Sequence, residues 1–485
     1  MNNDTQSLPS WQGKAERVAW VEEIPFVEPL NILAMLGDVE TVSFLDCASP
    51  EQDQSAWSYI MAEPFAVLSA HNNQVLFDGK RLGSSALISL QDILENYPLG
   101  PARIEEGLPP FQGGVCGYFA YELAGEIEKL PRPRTASHAL PDMMVGFFDA
   151  GLAFDIKNRR AFVFSTGHPM PAGAKSEKRA QEQARIWQLR AQAAQNIVMA
   201  PGLNQIAPIK LWSNFTRQSY EAAVRRVIDY IYAGDIFQAN IAQCFSGELP
   251  PALTSFDLYR RLRQISPAPF AAYLRFADKA IVSSSPEQFI ELTTSGAVIT
   301  RPIKGTRPRG PTKAEDAALA AALMASEKDR AENVMIVDLM RNDLSRVCAD
   351  FSVQVDALCA LKSYAQVHHL VSTVSGQLRK GLKPLDLLRA VFPGGSITGA
   401  PKLRAMEIIA EIETLERGPY CGAIGYIGFD GAMSLNIAIR TIILDGQALS
   451  FHVGGGIVAQ SNAEDEYAET LAKAQGLMRA LNAGG

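Results

Sequence analysis

The sequence of 485 residues predicts an α+β fold that is rich in antiparallel strands. Over the first 165 or so residues, short apolar segments such as ETVSFLDCAS (40–49) alternate with turn-forming segments, which is typical of β-strands. Helical periodicity is evident in TRQSYEAAVRRVIDYIYAGDI (216–236), and strands and helices alternate from there to about residue 480. These patterns favour a mixed fold over an all-helical one.

The chain divides into three regions. Residues 1–167 form an N-terminal region, in which FQGGVCGYFAYEL (111–123) places glycines among aromatic residues and so indicates close backbone approach or a bulge. Residues 168–212 begin with prolines and glycines and continue as a polar, alanine-rich helix, which predicts a helical linker. Residues 213–485 begin with an amphipathic helix that has Thr216 near its start and Gly234 near its end.

The composition limits the class of protein. Hydrophobic residues make up 47% of the chain and charged residues 20%, which is ordinary for a globular protein. The net charge is −7 and no basic block is present, which argues against nucleic-acid binding. Neither a signal peptide nor an apolar run long enough to span a membrane is predicted. The six cysteines are scattered without a CxxC pair, so we expect a reduced, cytoplasmic enzyme without a zinc site.

Two pairs of carboxylates are candidates for a metal site. Asp329 and Glu332 are three residues apart, as are Glu466 and Glu469, so each pair would share one face of a helix. Apolar residues follow Glu332, which places this carboxylate at the start of a buried helix, where it needs a cation to offset its desolvation. A few oxygen ligands, with room for water and substrate, suit Mg²⁺. Solvated helix faces are the alternative.

Three further features are candidates for ligand contacts. Gly454, Gly455 and Gly456 follow a predicted strand, and consecutive glycines let backbone amides approach an anion, although a tight turn is the simpler explanation. Lys304 lies between a predicted strand and a Pro/Gly turn, where a lysine is usually a solvated loop charge. His369 lies in an apolar, strand-like segment, where a histidine that bonds to backbone is more common.

Eight sequence blocks within about 215–480 resemble, in the same order, the chorismate-utilising family. This family includes anthranilate, aminodeoxychorismate, isochorismate and salicylate synthases. The blocks are SPEQF (285–289), PIKGTRPRG (302–310), AENVMIVDLMRNDL (331–344), HHLVSTVSG (368–376), FPGGSITGAPKLRAMEII (392–409), GAIGYIGFDG (422–431), NIAIRT (436–441) and HVGGGIVAQSNAEDEYAET (452–470). The resemblance implies two large sheets packed face to face, with helices outside and the active site between the sheets.

The resemblance also implies roles for individual residues. By motif position, Glu332 and Glu469 would be the main Mg²⁺ ligands, with Asp329 and Glu466 in support, and the metal would hold the ring carboxylate of chorismate. Arg440, in NIAIRT, would grip the other carboxylate through its bidentate fork. Further substrate contacts would come from Gly454, Gly455, Gly456, Lys473, Tyr426 and His369.

Lys304 decides which member of the family the chain most resembles. A lysine in the PIKGT block is typical of aminodeoxychorismate synthases, whereas anthranilate synthases, the alternative, have alanine there. The implied reaction is amination of chorismate at C4 for p-aminobenzoate and folate biosynthesis. Retention at C4 requires two displacements, and the neutral amine of Lys304 in a desolvated site would attack C2 and form a covalent intermediate. Glu287, in SPEQF, would be the acid/base group for the departing hydroxyl.

The resemblance implies partners and a second ligand. We find no glutaminase segment, so a glutamine amidotransferase subunit is the expected source of ammonia. Tryptophan binds to the N-terminal half of some relatives, and FLDCAS (44–49) stands where tryptophan-regulated members have LLES. This difference argues against regulation and leaves a structural tryptophan open. The residues that loosely match that site are Cys47, Gln54, Ser55, Ala56, Trp57, Pro269, Phe270 and Ala271.

Overall fold

The computed structural model describes residues 17–51, 56–83, 85–102, 107–133, 135–136, 138, 140–199, 206–364 and 367–483. In this part of the chain the strands form two 12-stranded sheets. All strand pairs described within them are antiparallel. The antiparallel α+β fold predicted from the sequence is therefore confirmed.

The first sheet, sheet A, contains strands from both ends of the chain. Its spatial order is β1 (Trp20–Ile24), β10 (Arg160–Ser165), β9 (Ala150–Asp155), β3 (Trp57–Ala62), β2 (Thr41–Asp46), β13 (Phe270–Phe276), β14 (Lys279–Ser285), β23 (Thr441–Asp445), β24 (Ala448–Ile457), β12 (Gln238–Glu248) and β11 (Trp212–Ser213). The short strand β20 (Gly399–Ala400) also pairs with β12.

Sheet B is similarly mixed. Its spatial order is β17 (Ile303–Pro308), β19 (Val367–Gln377), β16 (Ala297–Thr300), β15 (Gln288–Leu292), β22 (Met433–Ile437), β21 (Ala423–Gly428), β7 (Gly114–Phe119), β8 (Met143–Phe148), β4 (Ala66–His71), β5 (Gln74–Phe77) and β6 (Lys80–Gly83). The strand β18 (Gln354–Ser363) pairs with β19 at this edge. Because both sheets take strands from before residue 167 and after residue 212, the predicted regions are segments of sequence that share the same two sheets.

Helices cover the outer faces of the sheets. They are α1 (Pro29–Met35), α2 (Ala86–Leu94), α3 (Ala174–Ala194), α4 (Arg217–Tyr232), α5 (Ser255–Ile265), α6 (Lys313–Ala325), α7 (Glu327–Ser345), α8 (Pro384–Val391), α9 (Lys402–Ile412) and α10 (Ala463–Ala480). The helix α3 lies within the predicted linker. Thr216 caps α4, as the sequence predicts, because its side chain accepts a hydrogen bond from the backbone of Ser219. No helix in the described ranges has the length and apolarity needed to cross a membrane.

A buried aromatic and aliphatic cluster joins the two sheets. Tyr59 and Leu274 contribute to it from sheet A, and Tyr118 and Ile424 contribute from sheet B. Separate apolar clusters lie between sheet A and helices such as α3 and α5, and between sheet B and helices such as α7 and α8. The two sheets thus pack face to face with helices outside, which confirms the arrangement that the resemblance implies.

Candidate active site

A cavity of about 460 Å³ brings together most of the predicted site residues. Its charged and polar lining comes from both sheets and from helices α7 and α10. The predicted residues that line it are Glu287, Lys304, Asp329, Glu332, His369, Arg440, Gly454, Gly456, Glu469 and Lys473. These residues are spread over 187 positions of sequence (287 to 473), so the fold, rather than local sequence, assembles the site.

Two of these residues lie where the chain crosses from one sheet to the other. Glu287 lies between β14 of sheet A and β15 of sheet B, and Arg440 lies between β22 of sheet B and β23 of sheet A. The backbone carbonyl of Glu287 accepts a hydrogen bond from the amide of Ile437, which ties the two crossings together. The crossings therefore hold a carboxylate and a guanidinium at the edge of the inter-sheet space.

Lys304 lies in strand β17 and not in a loop, which corrects the sequence interpretation. The pairing of β17 with β19 shifts register between Ile303 and Thr306, so Lys304 and Gly305 occupy a bulge. Gly305 has φ +83°, and a Cβ on it would lie 3.0 Å from the Cβ of Asp329. Among the described residues, nothing makes a hydrogen bond or ion pair with the Lys304 ammonium.

The carboxylates Asp329 and Glu332 share a face of α7, as predicted. Ser326 caps this helix by accepting a hydrogen bond from the amide of Asp329 at 3.3 Å. The side chain of Asp329 is bound by Arg307, with Nη2 3.1 Å from Oδ2. Glu332 makes no ion pair within the described ranges, although it is largely buried against the cavity. The helix thus presents one paired and one unpaired carboxylate.

Helix α10 presents the second pair of carboxylates. Glu466 is buried, and its Oε1 accepts a hydrogen bond from Ser461 at 2.6 Å and lies 3.4 Å from the ammonium of Lys328. Glu469 is half exposed and pairs with Lys473 at 2.8 Å. A Cβ on Gly455 would lie 3.1 Å from Oε2 of Glu466, so the glycine at this position lets α10 pack closely on β24.

Burial and lysines set the charge of these carboxylates. Burial raises the pKa of Glu332, although the nearby ammonium groups of Lys304 and Lys328 oppose part of this shift. Burial also acts to raise the pKa of Glu469, but Lys473, Lys328 and Lys304 outweigh it, so the net pKa is lowered. Three lysines at the wall of the cavity therefore favour the charged form of both carboxylates, and they outweigh burial at Glu469 but not at Glu332.

The oxygen donors of the cavity fit only a metal ion that needs few protein ligands. Within the described ranges, no three His, Cys, Asp or Glu side chains lie close enough to form a metal cluster. Mg²⁺ commonly takes only one or two protein carboxylates and completes its octahedron with water and substrate oxygens. Glu332 and Glu469 line the same cavity and interact electrostatically, so they fit this sparse kind of site. A site that needs three or more protein ligands does not fit.

The glycine run differs from its prediction. Gly454, Gly455 and Gly456 do not follow a strand but lie inside β24, which pairs with β12 throughout this stretch. The neighbouring strand β23 pairs with β24 only as far as Phe451. Beyond that point the glycines border the cavity on one side of the strand, and the backbone carbonyl of Gly454 accepts a hydrogen bond from Lys473 at 2.9 Å.

His369 and Arg440 lie side by side at the cavity. The Nδ1 atom of His369 is 2.8 Å from the hydroxyl of Thr306. Burial, with the charge of Arg440, lowers the pKa of His369 to about 4, so the ring is neutral at physiological pH. The guanidinium of Arg440 has no hydrogen-bond or ion-pair partner in the part of the chain that the structure describes, and burial lowers its pKa.

Glu287 is buried beside Lys304. Glu287 is only 5% exposed. Burial raises the pKa of its carboxyl, although a hydrogen bond from Ser396 and the charge of Lys304 oppose part of this shift. The amide of Ile303 lies 3.5 Å from its Oε1. A carboxyl whose pKa is raised, next to an unpaired lysine, can exchange protons with a reacting group.

Several residues of this cavity were not predicted from the sequence. Lys328 precedes Asp329 and lies one helical turn from Glu332, a spacing that could have indicated a pair. Ser396 lines the cavity from the block 392–409, although no role was predicted for it, and Asn240 lines the cavity from outside the eight blocks. His452 alternates with Gly454 along β24, so the period-two spacing could have placed it on the same face.

Tyr426 does not line this cavity. Its ring lies in the cluster between the sheets, with its centroid 4.6 Å from that of Phe111 and 5.7 Å from that of Tyr59. It lines a second cavity of about 110 Å³. The substrate role expected for Tyr426 from its motif position therefore has no support from this geometry.

The second cavity contains part of the predicted tryptophan site. Four of the matching residues line it, namely Trp57, Pro269, Phe270 and Ala271. Cys47 and Ala56 are buried but do not line it. Gln54 and Ser55 lie outside the described residues.

Comparison with known proteins agrees with this geometry. The chorismate binding enzyme family matches residues 43–479. The chain is 39% identical over 435 residues to aminodeoxychorismate synthase component 1 of Escherichia coli strain K12. The matched segment covers 88% of this chain and 90% of that protein. The chain is 40% identical over 454 residues to anthranilate synthase component 1 of Thermus thermophilus, which covers 93% and 95% of the two chains.

A solved structure supports the same relationship. The crystal structure of anthranilate synthase component I from Streptococcus pneumoniae TIGR4 matches with a TM-score of 0.75 and 33% identity, over 87% of this chain and 92% of that one. Overall identity does not separate the two activities, because relatives of both kinds are near 40% identical. The match over most of the chain, together with the geometry of the cavity, shows that this chain belongs to the chorismate binding enzyme family.

Proposed function

We propose that the chain is an aminodeoxychorismate synthase component 1, a transferase that converts chorismate and ammonia to 4-amino-4-deoxychorismate for p-aminobenzoate and folate biosynthesis. The observation that carries this proposal is Lys304, which lines the same cavity as Glu287 and has no hydrogen-bond or ion-pair partner among the described residues. An unpaired lysine beside a carboxyl with a raised pKa suits covalent catalysis.

The proposed reaction proceeds through two displacements. The neutral amine of Lys304 forms a bond to C2 of chorismate, the two conjugated double bonds of the ring each shift by one position, and the C4–O bond breaks. Glu287 donates the proton with which the hydroxyl leaves as water, and then takes a proton from the ammonium formed on Lys304. Ammonia forms a bond to C4, the C2–N bond breaks, and Glu287 returns the proton to the departing amine of Lys304.

The substrate's two carboxylates need separate partners. Arg440 has a free guanidinium fork, which suits one carboxylate. For the other we propose Mg²⁺ held by Glu332 and Glu469, with Asp329 and Glu466 in support. When bound, the ion supplies Lewis-acid and template chemistry at the ring carboxylate. The amide and carbonyl groups of the glycine run and Lys473 lie beside the same region and complete the binding wall.

Anthranilate synthase activity is the second candidate, because relatives with that name are as similar to the chain as those named aminodeoxychorismate synthase. Lys304 disfavours it, since direct attack of ammonia at C2 needs no lysine at this position. The products differ in the position of the amino group. Incubation with chorismate, Mg²⁺ and an ammonium salt, with and without an aminodeoxychorismate lyase, distinguishes the two. Release of p-aminobenzoate only with the lyase supports the proposal, whereas anthranilate would contradict it.

Mass spectrometry tests the covalent step directly. With chorismate and Mg²⁺ but no ammonia, we expect the chain to gain the mass of chorismate less one water, on the peptide that contains Lys304. The variant Lys304→Ala should show no adduct and little product, and Lys304→Arg should not restore the adduct because arginine stays protonated. Lys313→Ala, at an exposed position on α6, is the matched control and should behave as the wild type. Full activity of Lys304→Ala would refute the covalent route.

We also propose that ammonia comes from a glutamine amidotransferase subunit. The word "component" in the names of the relatives supports a partner chain. The isolated chain should then use ammonium salts but not glutamine. Turnover of glutamine by the pure chain would contradict this.

For the second cavity, which is lined by Trp57 and Pro269–Ala271, we propose a bound tryptophan, and calorimetry with tryptophan tests it.

A further inference from the structure

One lysine of the cavity wall has no role in the proposed reaction. Lys328 is the second residue of α7, between Glu327 and Asp329, and it lines the catalytic cavity. The helix dipole disfavours a lysine at this end of a helix, where acidic residues are preferred. Helix stability therefore does not explain a lysine at this position, whereas its contacts outside α7 do.

The ion pair that Lys328 makes joins α7 to α10. Its ammonium lies 3.4 Å from Oε1 of Glu466, which lies in the first turn of α10. The side chain of Glu466 is only 4% exposed, and in the described part of the chain no other cation lies within ion-pair distance of it. A buried carboxylate needs such a partner, because desolvation strongly disfavours an unpaired charge. Lys328 is thus the counter-ion of Glu466.

The same ammonium acts on the two proposed metal ligands. Lys328 interacts electrostatically with Glu332, one helical turn along α7, and with Glu469 of α10. A Cβ on Gly455 would lie 3.1 Å from Oε2 of Glu466 and 3.5 Å from Oε1 of Glu469, so the two carboxylates of α10 lie side by side. One positive charge therefore serves three carboxylates from two helices, at the place where the proposed Mg²⁺ would bind.

We propose that Lys328 is a counter-ion that competes with Mg²⁺ for these carboxylates and so limits the affinity of the site for the metal. This inference rests on the proposed function. A dication and an ammonium that neutralise the same carboxylates repel one another. The Lys328 side chain is 46% exposed and has a flexible stem, so its ammonium can move into solvent when Glu332 and Glu469 hold the metal. Glu466 keeps a positive charge beside it in either case.

The charge of Lys328 can be removed with little change of shape. Lys328→Met keeps an unbranched side chain that favours a helix, and Lys328→Arg keeps the charge. In calorimetric titrations with MgCl₂ and no chorismate, Lys328→Met should lower the Kd for Mg²⁺ on the order of tenfold, because a half-exposed charge repels a nearby dication largely through water. Lys328→Arg should bind Mg²⁺ as the wild type does. Lys313→Met, at the exposed first position of α6, is the matched control.

The melting temperature provides a second measurement, independent of turnover. Without Mg²⁺, Lys328→Met should melt below the wild type, because Glu466 loses its counter-ion. Addition of Mg²⁺ should raise the melting temperature of Lys328→Met more than that of the wild type, since tighter binding to the folded chain stabilises it more. If the methionine variant does not fold, Lys328→Gln removes the charge but keeps a hydrogen-bond donor for Glu466, and the same gain in Mg²⁺ affinity is expected.

The outcomes separate this inference from the proposed function. If Mg²⁺ supports turnover of the wild type but the Kd for Mg²⁺ is unchanged or higher in the folded, uncharged variants, the competition is overturned while the metal assignment stands. An equal gain in affinity in Lys328→Arg would also overturn it, because the charge would not be responsible. If neither the wild type nor any variant binds Mg²⁺ and turnover does not need it, the metal assignment fails and this inference fails with it.

Discussion

Two arginines at the catalytic cavity differ in the bonds that their guanidinium groups make: Arg440 lines the cavity, whereas Arg417 lies behind its wall. Arg417 is 1% exposed, and its guanidinium donates to both carboxylate oxygens of Glu413, at 2.8 and 2.7 Å, and to two backbone carbonyls. The guanidinium of Arg440 makes no hydrogen bond or ion pair in the described part of the chain. A buried cation that is bonded within the protein supports the wall, whereas a guanidinium without such bonds is available to an anionic ligand.

The same contrast holds for the carboxylates. Glu413 accepts from Arg417 and from the amide of Ala242 at 2.7 Å, so it is satisfied without a ligand. Glu332 has no such partner, and burial raises its pKa. The difference teaches that burial alone does not identify a functional charge. A better indicator of a functional charge is that it is buried and has no hydrogen-bond or ion-pair partner in the protein. The fold need not supply a partner for a group that a ligand will bind.

The largest expected effect comes from the unsatisfied carboxylates. Glu332→Gln and Glu469→Gln should each lower kcat about 10³-fold or more, because a bound metal ion supplies several kcal/mol of charge stabilisation. Both variants should keep the wild-type melting temperature. Steady-state rates over a range of Mg²⁺ concentrations provide the measurement. Glu327→Gln, at an exposed position on α7, is the control. Wild-type rates at limiting Mg²⁺ in either variant would show that these carboxylates do not hold the metal.

The ion pair between Arg417 and Glu413 should contribute to stability rather than to turnover. Arg417→Met leaves Glu413 buried without its partner, so we expect the free energy of unfolding to fall by about 3–5 kcal/mol. The double variant Arg417→Met/Glu413→Gln removes the unpaired charge, keeps an acceptor for Ala242, and should recover much of the loss. Urea unfolding measures both. If the single variant were as stable as the wild type, the pair would not support the wall, and the contrast with Arg440 would fail.

Part of this organisation was predictable from the sequence. The carboxylate pairs were found because three-residue spacing on a helix is a local property, and α7 and α10 form where their caps and periodicity indicate. The sheet content was predictable for the same reason. The positions of Lys304 and of the glycine run were not, since a bulge or a continued strand depends on pairing with β19 or β12, which are distant in sequence.

Side-chain direction accounts for the remaining errors. Tyr426 lies in a block that resembles the family, but its ring lies in the cluster between the sheets, and sequence alone does not say which face of a fully buried strand a residue occupies. His452 and Asn240 were missed because their unmade hydrogen bonds exist only once the fold surrounds them. Long-range packing therefore carries the information that local pattern lacks.

Removal of the Arg440 guanidinium should lower activity and leave stability unchanged, whereas removal of the Arg417 guanidinium should lower stability. Arg440→Gln takes away the proposed partner of a substrate carboxylate, so we expect kcat/KM to fall by about 100-fold, equivalent to about 3 kcal/mol. Stability should be unchanged or slightly higher, because a buried cation without a partner is removed. Arg440→Lys keeps the charge but loses the fork, and should be intermediate. A drop in melting temperature without a loss of activity would make Arg440 a structural residue.

The smallest expected effect concerns Glu122, which holds the turn that carries Arg417. Its Oε1 and Oε2 accept hydrogen bonds from the amides of Arg417 and Gly418, at 2.7 and 2.9 Å. Burial raises the pKa of Glu122 from 4.5 to about 7, although hydrogen bonds from the amide of Arg417 and from its own backbone amide oppose part of the shift. Because the pKa of Glu122 is higher in the folded chain than in the unfolded chain, its carboxyl binds a proton more tightly when the chain is folded. The stability that this provides is complete below pH 4.5 and is lost as the pH rises through 7.

Glu122→Gln removes this titration but keeps one acceptor for the two amides. Relative to the wild type, the variant should therefore gain about 1 kcal/mol of stability between pH 4.5 and pH 8, since the side chain is only partly exposed and solvent screens part of the shift. At pH 4.5 the variant should be the less stable of the two, because its amide nitrogen faces a backbone donor. Urea unfolding of both proteins at these two pH values measures the change in their difference. A difference that does not vary with pH would mean that Glu122 titrates alike in the folded and unfolded chains, and that burial does not oppose its charge.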